Sequence, residues 1–380
     1  MVTIQNAENA LKTVYLGTMT ELLNTKVNPL LAKIEQTSSD VWGKEIRTAA
    51  KFGINGGIGA GDEAGELPAA HGNNYLQFVT SLKNLYGQIE ISDKAIRASA
   101  DGRGAFTDLL NAELEGLLNA SKFNLGRMLY GDGSGLLATF STDAKNAVVC
   151  DNTRNLIEGL VVDVYSGDTK KGTARITYVD RANKKVTVDG AVSIASGDTI
   201  YVQGSKDKEI TGIGALFNGD SIYGVQKSAH PFLKPYTKAV NGELDEIVLQ
   251  ETIDALENDA GSTVDFIACS QDAKYSFINY MSTFKRNIDF TELDGGFKTI
   301  SYNGLPLVYD RFVPDGSMYL LNTKAFKLHQ LCDWRFLETE NGKILRQTQG
   351  KPTYTATLVK YCDLICQKPN GQAMLTGITR

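Results

Sequence analysis

Across residues 104–130, Phe106, Leu110, Leu114, Leu117, Leu118, Leu125, Met128 and Leu129 recur three or four positions apart, with Asp108, Glu113, Glu115, Lys122 and Arg127 mostly between them. This spacing lines the apolar side chains along one stripe of a helix. At ~1.5 Å rise per residue the helix would run about 40 Å, a beam long enough to cross a domain. Gly131, Gly133 and Gly135 in the following GDGSG loop end it, because glycine turns the chain where a helix cannot continue cheaply.

Upstream, Leu11, Tyr15, Met19, Leu22, Leu23, Val27, Leu30, Leu31 and Ile34 keep a helical period through residues 7–34, with Pro29 breaking or restarting the helix near Asn28. That segment either packs on its own core or reaches a neighbouring subunit as an arm. Residues 52–74 are glycine-rich, poor in large side chains and acidic at Asp62, Glu63 and Glu66. Such a stretch builds no core, so it reads as the tip of an extended excursion that gains order by lying on something else. Ile89 and Ile91 then alternate as in a strand, Ser92 or Asp93 caps a short helix carrying Ala95 and Ile96, and residues 101–104 form a joint into the beam.

The pattern changes over residues 143–203, where short runs such as Val162, Val164, Ile176, Val186, Val188 and Ile200 are separated by SGD, DRANKK and ASGD turns. They predict a small antiparallel barrel or sandwich that stands alone within a larger fold. Beyond it come a helix at 244–256, a strand at 264–269, a helix at 272–285 capped near Ser270, and strands at 299–308 and 317–321. Asn303-Gly304 supplies a hairpin turn, and residues 353–366 form one long strand returning to the beam. The fold class is α+β.

Charge narrows the function. Lys and Arg total 39 against 44 Asp and Glu, a net charge of −5 without a basic run, which excludes sequence-independent clamping of nucleic acid. No apolar run spans a bilayer and residues 1–12 lack the build of a signal peptide, so a cytoplasm is the expected site of folding. Cys150, Cys269, Cys332, Cys362 and Cys366 are odd in number and widely spaced, and read as reduced, mostly buried thiols.

Candidate chemistry is sparse. His71 lies in the glycine-rich excursion, His230 precedes Pro231, and His329 sits beside an expected strand end; none belongs to a metal or nucleophile motif, and each reads as surface or interface. Asp132 and Ser134 in GDGSG offer oxygens in the manner of a calcium or phosphate loop, but the acidic positions of an EF-hand are missing and a helix stop explains the loop. The glycines of GINGGIGAG precede no GK[ST]. The catalytic, cofactor and metal assignments are therefore none, and the protein reads as a non-enzyme built for contacts with copies of itself.

Several stretches carry a resemblance to a known family. They are LYGQIEISDKAIRASADGRGAF, LNAELEGLLNASKFNLGRMLYGDGSG, EITGIGALF, IYGVQKSAHPFLKPY and the terminal block from FLETENGKILRQ to GQAM. In order, they resemble a tailed-bacteriophage major capsid protein of the Hong Kong 97 type over nearly the whole chain. The resemblance implies an N-terminal arm at 1–42, an extended loop at 43–85, a peripheral domain with its spine helix at 86–150 and an inserted β domain at 151–204. It further implies a peripheral continuation at 205–242, an axial domain at 243–334 and a C-terminal return to the peripheral domain at 335–380. It implies assembly as pentamers and hexamers into an icosahedral shell around double-stranded DNA, with scaffolding, portal and decoration proteins as partners and the virion as final location. Some members begin with a long charged scaffolding segment; a separate scaffolding protein, or numbering from a mature start, would account for its absence here. Two rivals remain: an encapsulin-like nanocompartment with enzyme cargo, and, from another class, a carbohydrate- or phosphate-binding enzyme using GDGSG and the β module.

Overall fold

The computed structural model describes residues 28–39, 41, 45–94, 103–142, 147–190, 192–283, 290–293, 297–338 and 344–380. Most of the helical pattern expected over 7–34, the short helix expected at Ala95 and Ile96, and most of the joint at 101–104 lie outside them. Within them, Pro29 restarts a helix as the pattern allowed. Asn28 caps Pro29–Lys33 by accepting from the Leu31 amide, and proline occupies the first turn, where its missing N–H costs nothing.

The beam is the helix Arg103–Tyr130. Leu114, Leu118, Leu125, Met128 and Leu129 are buried as the stripe predicted, and every residue from Leu125 to Tyr130 is buried, so this end of the helix is enclosed on all sides. Its last carbonyls are met by the EITGIGALF segment: the Ile213 amide donates to Leu129 at 2.8 Å. Gly212 makes that approach possible, since a Cβ there would press on the Met128 and Leu129 carbonyl oxygens, the latter at 2.8 Å.

A five-stranded sheet lies against the helix. Its axis is Thr353–Cys366, matching the expected long strand; Lys83–Ser92 pairs antiparallel along one edge and Phe326–Phe336 and Arg346–Gln347 along the other. Glu35–Thr37 adds a parallel strand beside Lys327–His329. Leu85, Ile89 and Ile91 face the core in period two, and at Gly87 the helix comes so close that a Cβ would stand 2.7 Å from Leu117 Cδ1.

A seven-stranded sheet runs in the order Tyr236–Gly242, Ala373–Ile378, Met318–Leu321, Phe266–Cys269, Leu305–Tyr309, Phe297–Tyr302, Phe290–Leu293. Ile267 and Leu320 point to a core covered by the helices Glu246–Ala260 and Gln271–Thr283. Phe266, Ala268, Tyr319 and Leu321 point instead to the core that holds the end of the spine helix. Both faces are therefore buried, which is why FIAC and MYLL are continuous apolar runs rather than alternating ones. Asp245 and Ser270 cap the two helices, and Asn303-Gly304 turns the hairpin with positive φ at both residues.

The third sheet has six strands, ordered Leu136–Thr139, Thr199–Val202, Val161–Ser166, Thr169–Asp180, Lys185–Val188, Ala147–Val149. A bridge between Phe140 and Cys150 joins the first strand's extension to the last's, so the sheet closes into a barrel around its own core.

Three expected boundaries shift. The barrel starts at Leu136, not 151, because closure needs Leu136–Thr139 and Ala147–Val149 as staves. The axial span expected at 243–334 loses Phe326–Phe336, whose main-chain bonds go to Thr353–Cys366. The same sheet gains Tyr236–Gly242 from the span expected at 205–242 and Ala373–Ile378 from that at 335–380, which pair with each other in parallel. His329, expected beside a strand end, is buried in mid-strand. The cysteines are free thiols, four buried and Cys332 half-buried.

Candidate functional site

The strands Glu45–Phe52 and Asn74–Ser81 form an antiparallel hairpin that belongs to none of the three larger sheets. A two-stranded ribbon is marginal alone, so its base has to be held by the body. Ile46 and Phe78 are buried, Phe52 stacks on Phe232 with centroids 4.4 Å apart, and the Val79 amide donates to the Tyr223 carbonyl at 3.0 Å. Tyr223 in turn ties to the long strand: its hydroxyl donates to the Leu364 carbonyl and accepts from the Cys366 amide. Burial pushes that phenol well above its usual range.

Asp363 completes the anchor. Its carboxylate accepts from the Thr80 hydroxyl of the hairpin, from the Thr211 amide at 2.7 Å and from the Thr211 hydroxyl at 3.2 Å. The group is wholly buried, and burial raises its pKa against the lowering pull of these bonds.

Beyond the anchor the excursion leaves the body. No residue of 53–73 is buried, and Ile54, Ile58 and Leu67 are 74%, 73% and 91% exposed. Only local turns shape this tip, such as Gly57 donating to Asn55 Oδ1 and Gly65 to the Asp62 carbonyl. Fully burying three such side chains stabilises by about 1.5–3 kcal/mol each, so the free tip forgoes several kcal/mol that a contact would recover. Asp62, Glu63, Glu66 and His71 all sit here, exposed.

At the other end of the same ribbon is a cleft of about 660 Å³, walled by the start of Lys83–Ser92, one face of the spine helix and the barrel's exit segment. Leu85, Leu117, Leu125, Met128, Leu160 and Val202 supply its apolar surface. Trp334 also lines it; the ring is 4% exposed and its indole N–H has no acceptor within the chain. Nearby, Arg127 and Glu209 form a buried ion pair, and Arg127 Nη2 also donates to Asn124 at 2.7 Å. Sequence reading missed this cleft, because its walls come from four separated segments with no shared motif.

The residues weighed for chemistry do not converge. In GDGSG, Asp132 Oδ1 accepts from the Ser134 amide and hydroxyl, and the Ser134 carbonyl accepts from Asp207, so the loop's oxygens serve its own turn. His71 is on the tip, His230 precedes a short 3₁₀ turn and His329 is in the five-stranded sheet. Among the described residues no group of three or more His, Cys, Asp or Glu side chains is placed to hold a metal ion.

A long enclosed helix, a sheet laid along it and an anchored excursion with an uncovered tip make up a distinctive architecture. It superposes on a chain of the cyanophage A-1(L) capsid asymmetric unit with a TM-score of 0.58 at 14% identity, covering 94% of each chain. This is the fold of a capsid-shell protein. The capsid fold also appears in the SrpI encapsulin of Synechococcus elongatus PCC 7942, matched at a TM-score of 0.50 and 11% identity over 93% of this chain and 89% of that one. No family model matches the sequence, and no curated protein does. The capsid fold is thus legible in the coordinates at an identity where sequence comparison finds nothing.

Proposed function

We propose that the protein is a major capsid protein of the Hong Kong 97 type, assembling as pentamers and hexamers into the icosahedral shell of a tailed phage around double-stranded DNA. The observation that carries this reading is the excursion: it is fixed to its own body by Tyr223 and Asp363, yet its tip exposes Ile54, Ile58 and Leu67 with nothing of its own to cover them. A surface of that kind is stable only against another molecule, and the capsid fold of the cyanophage chain makes a second copy the natural one. In this reading the five-stranded sheet and spine helix are the peripheral domain, the seven-stranded sheet and its helices the axial domain, and the barrel an insertion. A net acidic subunit suits a container that encloses DNA without gripping it. Scaffolding, portal and decoration proteins would be its partners, the virion its location, and catalysis no part of its role.

Electron microscopy of particles formed on expression, alone or with the genes adjoining its own, tests this. Closed shells or five- and six-membered rings are expected; a chain that stays monomeric under both conditions would refute the reading. The encapsulin likeness favours one second reading, a compartment for protein cargo. Particle contents separate the two: nuclease-protected double-stranded DNA supports the phage shell, and a copurifying enzyme the compartment.

A further inference from the structure

We infer that the cleft beside Trp334 is the receptor for the excursion tip of a second copy of this chain, an inference that rests on the shell reading above. Its starting point is the indole N–H of Trp334, a buried donor without an acceptor on the cleft wall. An unmet buried donor carries a standing penalty, and a main-chain carbonyl entering the cleft would remove it.

The tip suits the cleft in three respects. Its glycines leave the backbone uncovered, so carbonyl groups can approach a cleft wall closely. Its exposed Ile54, Ile58 and Leu67 match the cleft's Leu85, Leu117 and Leu125, and the volume of about 660 Å³ admits a few residues rather than a whole domain. Its charge is one-sided, with Asp62, Glu63 and Glu66 and no Lys or Arg from Gly53 to Ala70. The cleft rim offers Lys83 and Lys208 against Asp207, while Glu209 is neutralised by Arg127.

Geometry decides which copy supplies the tip. The eight-residue strand Asn74–Ser81 separates a molecule's tip from its own cleft, and at about 3.3 Å per residue that is roughly 26 Å of paired ribbon. A chain cannot therefore fill its own receptor, whereas a neighbour's tip reaches it. The barrel, which contributes Leu160 and Val202, becomes one jaw of the receptor.

Photo-cross-linking tests the assignment. Benzoylphenylalanine replaces Leu67 in ¹⁵N-labelled chains, which are mixed with unlabelled chains before assembly, and cross-linked peptides are mapped by mass spectrometry. Links from position 67 to residues 82–87, 117–128 or 202–209 of the other isotopic copy are expected. Particles whose links map elsewhere overturn this inference and leave the shell reading standing; failure of the unsubstituted chain to assemble sinks both. Trp334→Phe keeps the ring and deletes the donor. It should leave unfolding of the isolated subunit unchanged and raise the concentration needed for assembly roughly fivefold to tenfold, the worth of one buried hydrogen bond. An unchanged assembly threshold would also overturn the inference.

Discussion

At the scale of single residues, the enclosed end of the spine helix holds the sharpest constraints. Gly212→Ala drives a methyl into the Met128 and Leu129 carbonyls, contacts that belong to backbone and cannot swing away. Overpacking of this kind costs about 1–3 kcal/mol, and a lowered urea midpoint of the isolated subunit would show it. Arg127→Met strands the Glu209 carboxylate in a site where both side chains are almost wholly buried. Loss of about 3–5 kcal/mol is expected, and adding Glu209→Gln to the same chain should recover much of it, which a double-mutant cycle in urea measures. Asp363 makes a claim about pH. Burial raises its folded-state pKa above the ordinary 3.8, so as pH climbs past 3.8 the unfolded chain releases this proton before the native one does. The native state then binds more protons, and this residue's contribution to stability falls as pH rises through the raised pKa. Asp363→Asn should flatten that part of the stability–pH curve; an unchanged difference between the two proteins across the acid range would contradict it.

Among elements, the excursion and the barrel are separable in different ways. The excursion's anchors, Phe78, Thr80 and the Phe52–Phe232 stack, all lie outside the tip, so deleting residues 53–73 should leave a folded subunit that forms no stable shell. Circular dichroism and electron microscopy of that deletion read the two halves of the claim. The barrel has a core of its own, and its entry and exit are pinned together where the Asp207 amide donates to the Ser134 carbonyl at 2.8 Å. A short Gly-Ser linker in place of 136–204 should therefore leave the remaining two cores folded and the chain soluble, as size-exclusion chromatography would report. These elements also show what a sequence can disclose. The spine helix, the strand Thr353–Cys366 and the Asn303-Gly304 hairpin were legible because each is written in local periodicity or turn chemistry. Leu136–Thr139 was not, since four residues after a glycine loop carry no period and owe their strand to distant Thr199–Val202. Glu35–Thr37 is polar and only three residues long, with its partner nearly the whole chain away. The burial of His329 follows from that sheet, and the cleft from the meeting of helix, strand and barrel, neither of which any one segment announces.

Taken whole, the molecule is two cores sharing one sheet, with a barrel and a ribbon attached. Because Phe266–Cys269 and Met318–Leu321 are covered on both faces, the axial helices and the spine helix are braced through a common layer rather than a linker. A subunit of this build should move in an assembly largely as one body, with the ribbon as the part free to change angle; hydrogen exchange in free subunits and in particles should differ most over residues 53–73.

The placing of Ala373–Ile378 bears on something other than architecture. This strand lies between Tyr236–Gly242 and Met318–Leu321, inside the sheet rather than at its rim, although it is the last strand to leave the ribosome of all those in that sheet. At the usual pace of translation, on the order of ten seconds pass between synthesis of Tyr236–Gly242 and of the strand that completes its pairing. Through that interval the nascent chain has a gap where its sheet should be continuous, and it cannot present a finished surface to its siblings on the same message. Polymerisation is thereby deferred until each chain is nearly complete, a clock set by the order of strands along the gene.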